Sequence, residues 1–237
     1  IRRYGFHGTS HAYVAKEASR MMGQDIRSLN LVTLHLGNGA STTAICGGRS
    51  IDTSMGMTPL EGLMMGTRCG DIDPAIVSYL SEQCGMDMKT IDTLLNQESG
   101  LKGICGHSDM REVTKKAETG DALSMLALQM YAYRIRKYIG AYTVVLGRVD
   151  AVIFTGGVGE HAAQIREMVC EGLEASIGLK IDKEKNDQPS VLARSIEHSE
   201  SRIKVWIIPA NEELEIAKEV EEAIKKKASD ILIEPLE

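Results

Sequence analysis

The sequence predicts an α/β fold, with a mixed sheet that carries helices on both faces. Residues 31–53 contain three short β-favouring runs, separated by Gly37-Asn38-Gly39 and Gly47-Gly48. Glycine and asparagine supply the positive φ that hairpin turns need, so these runs predict three antiparallel strands. Two continuous apolar runs, Ala151 to Phe154 and Ile203 to Ile208, are typical of strands covered on both faces. Each leads into a helix-favouring segment, so the sheet continues with alternating helices and strands.

Helical signals identify the other elements. Asp73 and Pro74 fit the N-cap and first position of a helix that ends near Gly85. Apolar residues recur at three- and four-residue spacing from Asp121 to Leu146, which predicts one long helix. The remaining predictions are a helix that follows the glycine turn ending at Glu160 and runs to about Ser176, a charged helix from Glu212 to Lys227, an ordered loop with one or two short turns from Gln97 to Arg111 and a polar surface excursion from Lys183 to Arg202.

Composition narrows the class of protein. The chain has 237 residues, 43% of them hydrophobic, and a net charge of −6, as expected of a folded globular domain. Its lysines and arginines form no basic stripe, which argues against a nucleic-acid partner. No run approaches the roughly 18 to 20 apolar residues that span a bilayer, and the first residues lack a signal-peptide core. We therefore expect a cytoplasmic protein with no membrane partner, whose five scattered cysteines are reduced.

Two glycine-rich turns follow predicted strands and are candidate phosphate sites. The first is His35-Leu36-Gly37-Asn38-Gly39, and the second is Gly156-Gly157-Val158-Gly159-Glu160 at the start of a helix. Glycines let backbone N–H groups approach phosphate oxygens, and a helix N-terminus favours an anion. Taken alone, the first turn also fits an ordinary hairpin. The second has neither Rossmann nor Walker A spacing, which disfavours a dehydrogenase.

Two histidines and two arginines are candidate functional residues with competing interpretations. His7 and His11 are four residues apart, but a zinc site lacks an obvious third ligand, and structural hydrogen bonding is the alternative. Arg68 lies between glycines in a segment poor in other charges. Most arginines are solvated surface residues, yet a fixed planar cation also suits a phosphoryl transition state. For Arg111, a surface salt bridge and a nucleotide contact both remain open.

The order and spacing of several blocks resemble the acetate kinase family over nearly the whole chain. The blocks are RYGFHGTSH (3–11), HLGNGAS (35–41), DTSMGMTPLEGLMMGTRCGDID (52–73), TGGVGE (155–160) and NEEL (211–214). That family has the actin-like, ribonuclease H-like fold, in which two lobes close on a nucleotide. The resemblance implies that His7 and Arg68 stabilise a transferring phosphoryl group and that Glu212 supports a metal site. It assigns nucleotide contacts to His35, Leu36, Gly37, Asn38, Gly39, Asp109, Met110, Arg111, Gly156, Gly157, Val158, Gly159 and Glu160.

The resemblance also implies a reaction and an organisation. The reaction is phosphoryl transfer from ATP to acetate, giving acetyl phosphate and ADP, with Mg²⁺ or alternatively Mn²⁺. Residues 1–210 would form a C-terminal nucleotide-binding and dimerisation lobe, and residues 211–237 a helix and tail packed toward an N-terminal lobe. Residues that the family's N-terminal lobe supplies have no counterpart here, so we expect nucleotide binding at best and negligible turnover. The long predicted helix from Asp121 to Leu146, apolar around much of its circumference, indicates a homodimer interface or alternatively a buried central helix.

Two alternatives to this assignment stay open, and one residue departs from the family pattern. A propionate kinase is the alternative within the same enzyme class. A non-catalytic nucleotide-binding or dimerisation module is the alternative outside it. His161 follows Glu160 where the family normally has asparagine, which leaves the contacts around the adenosine open.

Overall fold

A six-stranded mixed sheet lies at the centre of the computed structural model, which describes residues 1–231. The order across the sheet is β3-β2-β1-β4-β6-β5. β1 pairs antiparallel with β2, and β2 with β3, whereas β1–β4 and β4–β6 are parallel. This arrangement confirms the predicted mixed sheet. The strands are β1 (Asn30–Leu36), β2 (Ala40–Cys46), β3 (Arg49–Thr53), β4 (Ala151–Thr155), β5 (Arg194–Ser195) and β6 (Lys204–Ile207).

Helices cover both faces of the sheet. Side chains of successive strand residues point to opposite faces, so the strands present apolar residues to the helices on each side. On one face Val32 and Leu34 belong to a large core that includes Ile135, and on the other Leu31 packs in a smaller core with Val14. The helices are α1 (Gly8–Met22), α2 (Ala75–Glu82), α3 (Met88–Gln97), α4 (Gly100–Cys105), α5 (Met110–Glu118), α6 (Ala122–Leu146), α7 (Gly156–His161), α8 (Ala163–Cys170), α9 (Leu173–Ile177), α10 (Lys183–Asp187) and α11 (Glu212–Ile231).

The long helix α6 begins and ends as predicted. The side chain of Asp121 accepts a hydrogen bond from the backbone N–H of Ser124 at 2.8 Å, and Gly147 ends the helix with φ 71°. One side of α6 is buried against the sheet and carries Leu128, Tyr131 and Ile139. The apolar residues Leu123, Leu126, Met130 and Tyr133 lie on its exposed surface.

Two sequence-based assignments are wrong, and a third gains detail. The predicted single helix to Ser176 is the two helices α8 and α9, separated by Gly172 with φ 78°, and the glycine turn before it forms α7, which ends where Ala162 leaves helical geometry at ψ 82°. The short turn predicted within residues 97–111 is α4, whose Leu101 is buried in the core. The predicted surface excursion 183–202 contains α10 and the edge strand β5. In each case non-local packing decides the local structure.

The helix α11 packs beside α1, and an ion pair between Lys16 and the buried Glu215 joins the two. Asn211 caps α11 by accepting the backbone N–H of Leu214 at 3.1 Å. The last residues of the predicted tail, 232–237, lie outside the residues that the structure describes. No helix within residues 1–231 is long and apolar enough to cross a membrane.

Candidate functional site

His7 is held in an unusual backbone conformation at the start of α1. Its φ of 60° makes it the one non-glycine residue with positive φ among residues 1–231. Such conformations are costly and concentrate at functional sites. The Nδ1 atom lies 2.9 Å from the hydroxyl of Ser41, and the ring stacks on His35 at a centroid distance of 4.2 Å. β1 and β2 thus fix the orientation of this imidazole.

Burial keeps three clustered imidazoles neutral at physiological pH. Desolvation, with His35 and Arg68 adding like charge, lowers the pKa of His7 to about 4, and the carboxylate of Glu212 opposes this shift. Desolvation likewise lowers the pKa of His11 to about 3 and lowers the pKa of His35. These rings therefore act as neutral hydrogen-bonding groups.

Arg68 and His7 converge on Gly39. A Cβ atom built on Gly39 would lie 3.3 Å from Nη1 of Arg68 and 3.7 Å from Nε2 of His7. The guanidinium donates to the carbonyl of Pro59 at 3.1 Å and has no carboxylate partner among the side chains that the structure describes. A fixed cation and an imidazole beside a side-chain-free turn suit a phosphoryl group that accumulates negative charge.

A cavity of about 820 Å³ adjoins this point. Its volume falls within the range of about 300–1,000 Å³ that is usual for small-molecule sites. It lies between the β1–β2 turn, the start of α5 and the start of α7. Seven residues predicted to contact a nucleotide line it: Gly37, Asn38, Asp109, Met110, Arg111, Gly157 and Val158.

The other predicted nucleotide residues lie behind the cavity wall or beside His7. Leu36 and Gly159 are buried. Gly156 has φ 76°, and a Cβ placed on Gly156 would lie only 2.8 Å from the carbonyl oxygen of Leu36. The carboxylate of Glu160 accepts the backbone N–H groups of Gly156 and Ala210, each at 3.0 Å. These residues shape the turn from behind. His35 and Gly39 flank His7 instead.

Arg111 and Asp109 form an ion pair at the cavity rim. Nη2 of Arg111 is 2.6 Å from Oδ2 of Asp109, and the arginine side chain is 91% exposed. Asp109 also caps α5 through the backbone N–H of Arg111. These bonds from Arg111 lower the pKa of Asp109 to about 2.

Comparison with known proteins assigns the family. The sequence profile of the Acetokinase family matches residues 1–218. This chain belongs to the acetokinase family. It is 61% identical over 226 residues to the acetate kinase of Sulfurovum sp. (strain NBC37-1), covering 95% of this chain and 57% of that protein. It therefore spans little more than half the length of such a relative.

Two crystal structures from this family share the fold. The acetate kinase of Porphyromonas gingivalis has a TM-score of 0.89 and 44% identity, covering 92% of this chain and 55% of that one. A propionate kinase from Francisella tularensis subsp. tularensis SCHU S4 has a TM-score of 0.86 and 46% identity, with the same coverage. Both acetokinase-family structures extend well beyond the region matched here.

Few of the described side chains could bind the metal ion that the acetokinase family implies. No cluster of three or more His, Cys, Asp or Glu side chains able to hold an ion occurs among the described residues. Glu212 contributes one exposed carboxylate, whose charge acts on His7. Mg²⁺ usually keeps several waters and is bound by one or two carboxylates together with substrate phosphates. A single hard oxygen ligand whose charge acts on His7 fits that pattern.

Sequence reasoning missed one wall of the cavity. Residues from α4, α5 and the loop before α5 complete it: Leu101, Ser108, Thr114, Lys115 and Glu118. A signal for α5 was present, because Met110, Val113 and Ala117 are buried at helical spacing. Recognising that helix would have placed Thr114 one turn and Glu118 two turns from Arg111, on the same side of the helix.

Proposed function

We propose that this chain is the nucleotide-binding part of an acetate kinase. The observation that carries the proposal is the convergence of His7 and Arg68 on Gly39, beside a cavity sized for a nucleotide. A relative that shares 61% identity bears the name acetate kinase. The activity is proposed for the protein as a whole, since the chain spans 57% of such a relative.

In the proposed complex the nucleoside occupies the cavity and the phosphates point toward Gly39. Gly37 and Asn38 belong both to the cavity wall and to the turn that ends at Gly39, so one turn connects the two parts. Gly157 presents open space to the ligand, since a Cβ placed on it would have no neighbouring atom within 4 Å. Backbone N–H groups in such turns can approach phosphate oxygens closely.

Phosphoryl transfer then requires charge stabilisation at His7 and Arg68. A carboxylate oxygen of acetate attacks the γ-phosphorus, the bond to the β–γ bridging oxygen breaks, and ADP leaves with that electron pair. Arg68 places a permanent positive charge beside the equatorial oxygens, and His7 offers a neutral imidazole nitrogen. Bound Mg²⁺, held in part by Glu212, would neutralise charge on the phosphates.

Isothermal titration with ATP and Mg²⁺ tests the nucleotide site. In the Gly157→Val variant the new side chain enters the cavity, so we expect saturable binding by the natural chain and at least about tenfold weaker binding by the variant. Gly140→Val in α6 is the matched control, because Gly140 also has open space around its Cβ position but lies outside the cavity. Absence of binding by the natural chain would overturn the proposal for these 237 residues.

We also propose that the chain alone has negligible kinase turnover, because its described residues form one lobe around a single sheet and it spans 57% of the acetate kinase it matches. A turnover number similar to that of a full-length relative would contradict this. Propionate is the second candidate acceptor, since the similar Francisella tularensis structure is a propionate kinase. Steady-state kinetics of the complete protein with acetate and propionate would separate the two by kcat/KM.

The exposed surface of α6 supports a homodimer proposal. Leu123, Leu126, Met130 and Tyr133 are each more than two-fifths exposed and lie on one helix. A cluster of large apolar and aromatic side chains is typical of a protein interface. We expect sedimentation equilibrium to show a dimer that Leu126→Glu dissociates. A monomer at high micromolar concentration would contradict the proposal.

A further inference from the structure

A continuous hydrogen-bond relay runs from the core of the sheet to His7. It consists of Thr33, His11, Ser41 and His7. The hydroxyl of Thr33 lies 2.7 Å from Nδ1 of His11, whose Nε2 lies 2.8 Å from the hydroxyl of Ser41. That hydroxyl lies 2.9 Å from Nδ1 of His7. Thr33, His11 and Ser41 are all at most 4% exposed, so water does not compete for these bonds.

The protons in this relay cannot be placed independently. Ser41 has a single hydroxyl proton, and a neutral histidine has a single ring proton. The Ser41 oxygen could accept from both rings, but its own buried proton would then lack an acceptor, because its two described partners are His7 and His11. If His7 donates from Nδ1, Ser41 therefore donates to Nε2 of His11. His11 then donates from Nδ1 to Thr33. In this forward arrangement the Thr33 hydroxyl proton remains free to reach the carbonyl of Thr43 at 3.5 Å.

In the reverse arrangement every bond changes direction. Thr33 donates to Nδ1 of His11, His11 donates from Nε2 to Ser41, and Ser41 donates to Nδ1 of His7. The proton of His7 must then reside on Nε2. The forward arrangement makes one more hydrogen bond, the contact from Thr33 to Thr43, and it should therefore predominate in the free chain.

The direction of the relay matters because Nε2, with the adjacent Cε1, is the part of the His7 ring nearest Gly39, and Nη1 of Arg68 approaches the same glycine. Burial keeps both His7 and His11 neutral near pH 7, so His7 cannot carry a proton on both nitrogens. Only the reverse arrangement presents a hydrogen-bond donor to a phosphoryl oxygen. The forward arrangement presents a lone pair there.

We propose that His11 is a positioning residue that, through Ser41, sets which ring nitrogen of His7 carries the proton. The catalytic meaning of this coupling rests on the proposed function, because it assumes a phosphoryl group beside Nε2. The coupling itself stands on the geometry of four residues. His11 thus acts on the reaction without touching the substrate.

The coupling can be measured on the chain itself by ¹⁵N spectroscopy of the histidine rings. Two-bond ¹H–¹⁵N correlation spectra distinguish Nδ1–H, Nε2–H and imidazolium forms, and His7→Gln and His11→Gln samples assign the two rings. At pH 7 we expect the natural chain to show His7 mainly as Nδ1–H. Thr33→Val removes the acceptor of the His11 Nδ1–H, so His11 should move its proton to Nε2 and His7 should switch mainly to Nε2–H.

Two further threonine variants provide the controls. Thr33→Ser keeps the hydroxyl and should preserve the natural tautomer of His7. Thr43→Val removes another buried hydroxyl, one that bonds to Thr53 outside the relay, and it leaves the Thr43 carbonyl in place. We expect no change in His7 for this variant. A switch in Thr43→Val equal to that in Thr33→Val would show a general packing effect and would overturn the proposal.

His11→Phe tests the same step if Thr33→Val does not fold. Phenylalanine offers Ser41 no acceptor, so Ser41 should donate to His7 and again place the His7 proton on Nε2. A His7 ring that keeps its natural tautomer in either folded variant overturns the proposal. ATP titration of the same samples separates the two questions. Lost nucleotide binding with intact coupling contradicts only the proposed function. Intact nucleotide binding without coupling contradicts only the role of His11.

Discussion

The two ends of the candidate site are built differently. At the end where we propose the phosphoryl group, His7 is fixed by Ser41, stacked on His35 and neutral because it is desolvated. At the end where we propose the nucleoside, Asp109 and Arg111 bond to each other at an exposed rim, and the cavity beside them is open. The first end is organised by the core of the sheet, and the second by loops and short helices laid over it.

This difference has a physical reason. Stabilising a transition state requires groups that hold their positions before the ligand arrives, and burial against a sheet supplies that rigidity. A nucleotide pocket instead needs an entrance, so its polar rim stays hydrated and satisfies its own charges. We therefore expect substitutions at the first end to reduce stability and substitutions at the second to reduce affinity.

The largest effect should come from Gly156, where the two ends meet. Its φ of 76° and the carbonyl of Leu36 at 2.8 Å leave no room for a Cβ. Gly156→Ala should lower the free energy of unfolding by about 2 to 5 kcal/mol, combining left-handed strain with overpacking. Gly157→Ala is the adjacent control and should change it by less than about 0.5 kcal/mol. Equal losses of unfolding free energy in the two variants, measured by urea denaturation, would contradict the distinction between a glycine packed in the core and a glycine that lines the cavity.

The next largest effect should be a pH dependence that comes from His11. Its pKa is about 3 in the folded chain against an ordinary value of 6.5, so the unfolded chain binds the proton first as pH falls. The stabilising contribution is complete above pH 6.5 and is lost toward pH 3. Between pH 7 and 5, the natural chain should lose about 2 kcal/mol more stability than His11→Phe. Parallel curves of unfolding free energy against pH would contradict the low pKa.

The sequence predicted the central elements well, because their signals are local. Apolar runs marked β4 and β6, glycine-rich turns marked the β1–β2–β3 meander, and three- and four-residue spacing marked α6. Family blocks then identified His7 and Arg68 as a pair, and the structure brings both side chains to Gly39. None of these predictions needed distant contacts.

The missed features depend on contacts between distant parts of the chain. The relay partners of His11 are Thr33 and Ser41, which lie 22 and 30 residues away in sequence. No periodicity reports such a buried polar network. Gly100 similarly has φ 62° and packs directly on the carbonyl of Met65, which allows α4 to close the cavity inside a segment that reads as a loop.

A smaller effect should follow from Gly66, which links the ends through Asn38. A Cβ on Gly66 would collide with the side-chain oxygen of Asn38 and lie 3.0 Å from the carbonyl of Ser108. Gly66→Ala should displace Asn38 from the cavity wall and weaken ATP binding about tenfold, equivalent to about 1.4 kcal/mol. Titration of Gly140→Ala gives the baseline for a glycine change elsewhere. Unchanged ATP affinity in a folded Gly66→Ala chain would show that Asn38 does not contact the ligand.

The smallest effect should come from Arg111, and the chain contains its own control. Asp25 and Arg27 repeat the Asp109–Arg111 geometry, with the same 2.6 Å contact and an 83% exposed arginine, far from the cavity in sequence. We expect Arg111→Ala to weaken ATP binding by about two- to fivefold, as suits a solvent-screened charge. Arg27→Ala should leave it unchanged. If titration shows no change in either variant, both pairs are surface salt bridges, and the adenosine contacts must come from α4, α7 and the remainder of α5.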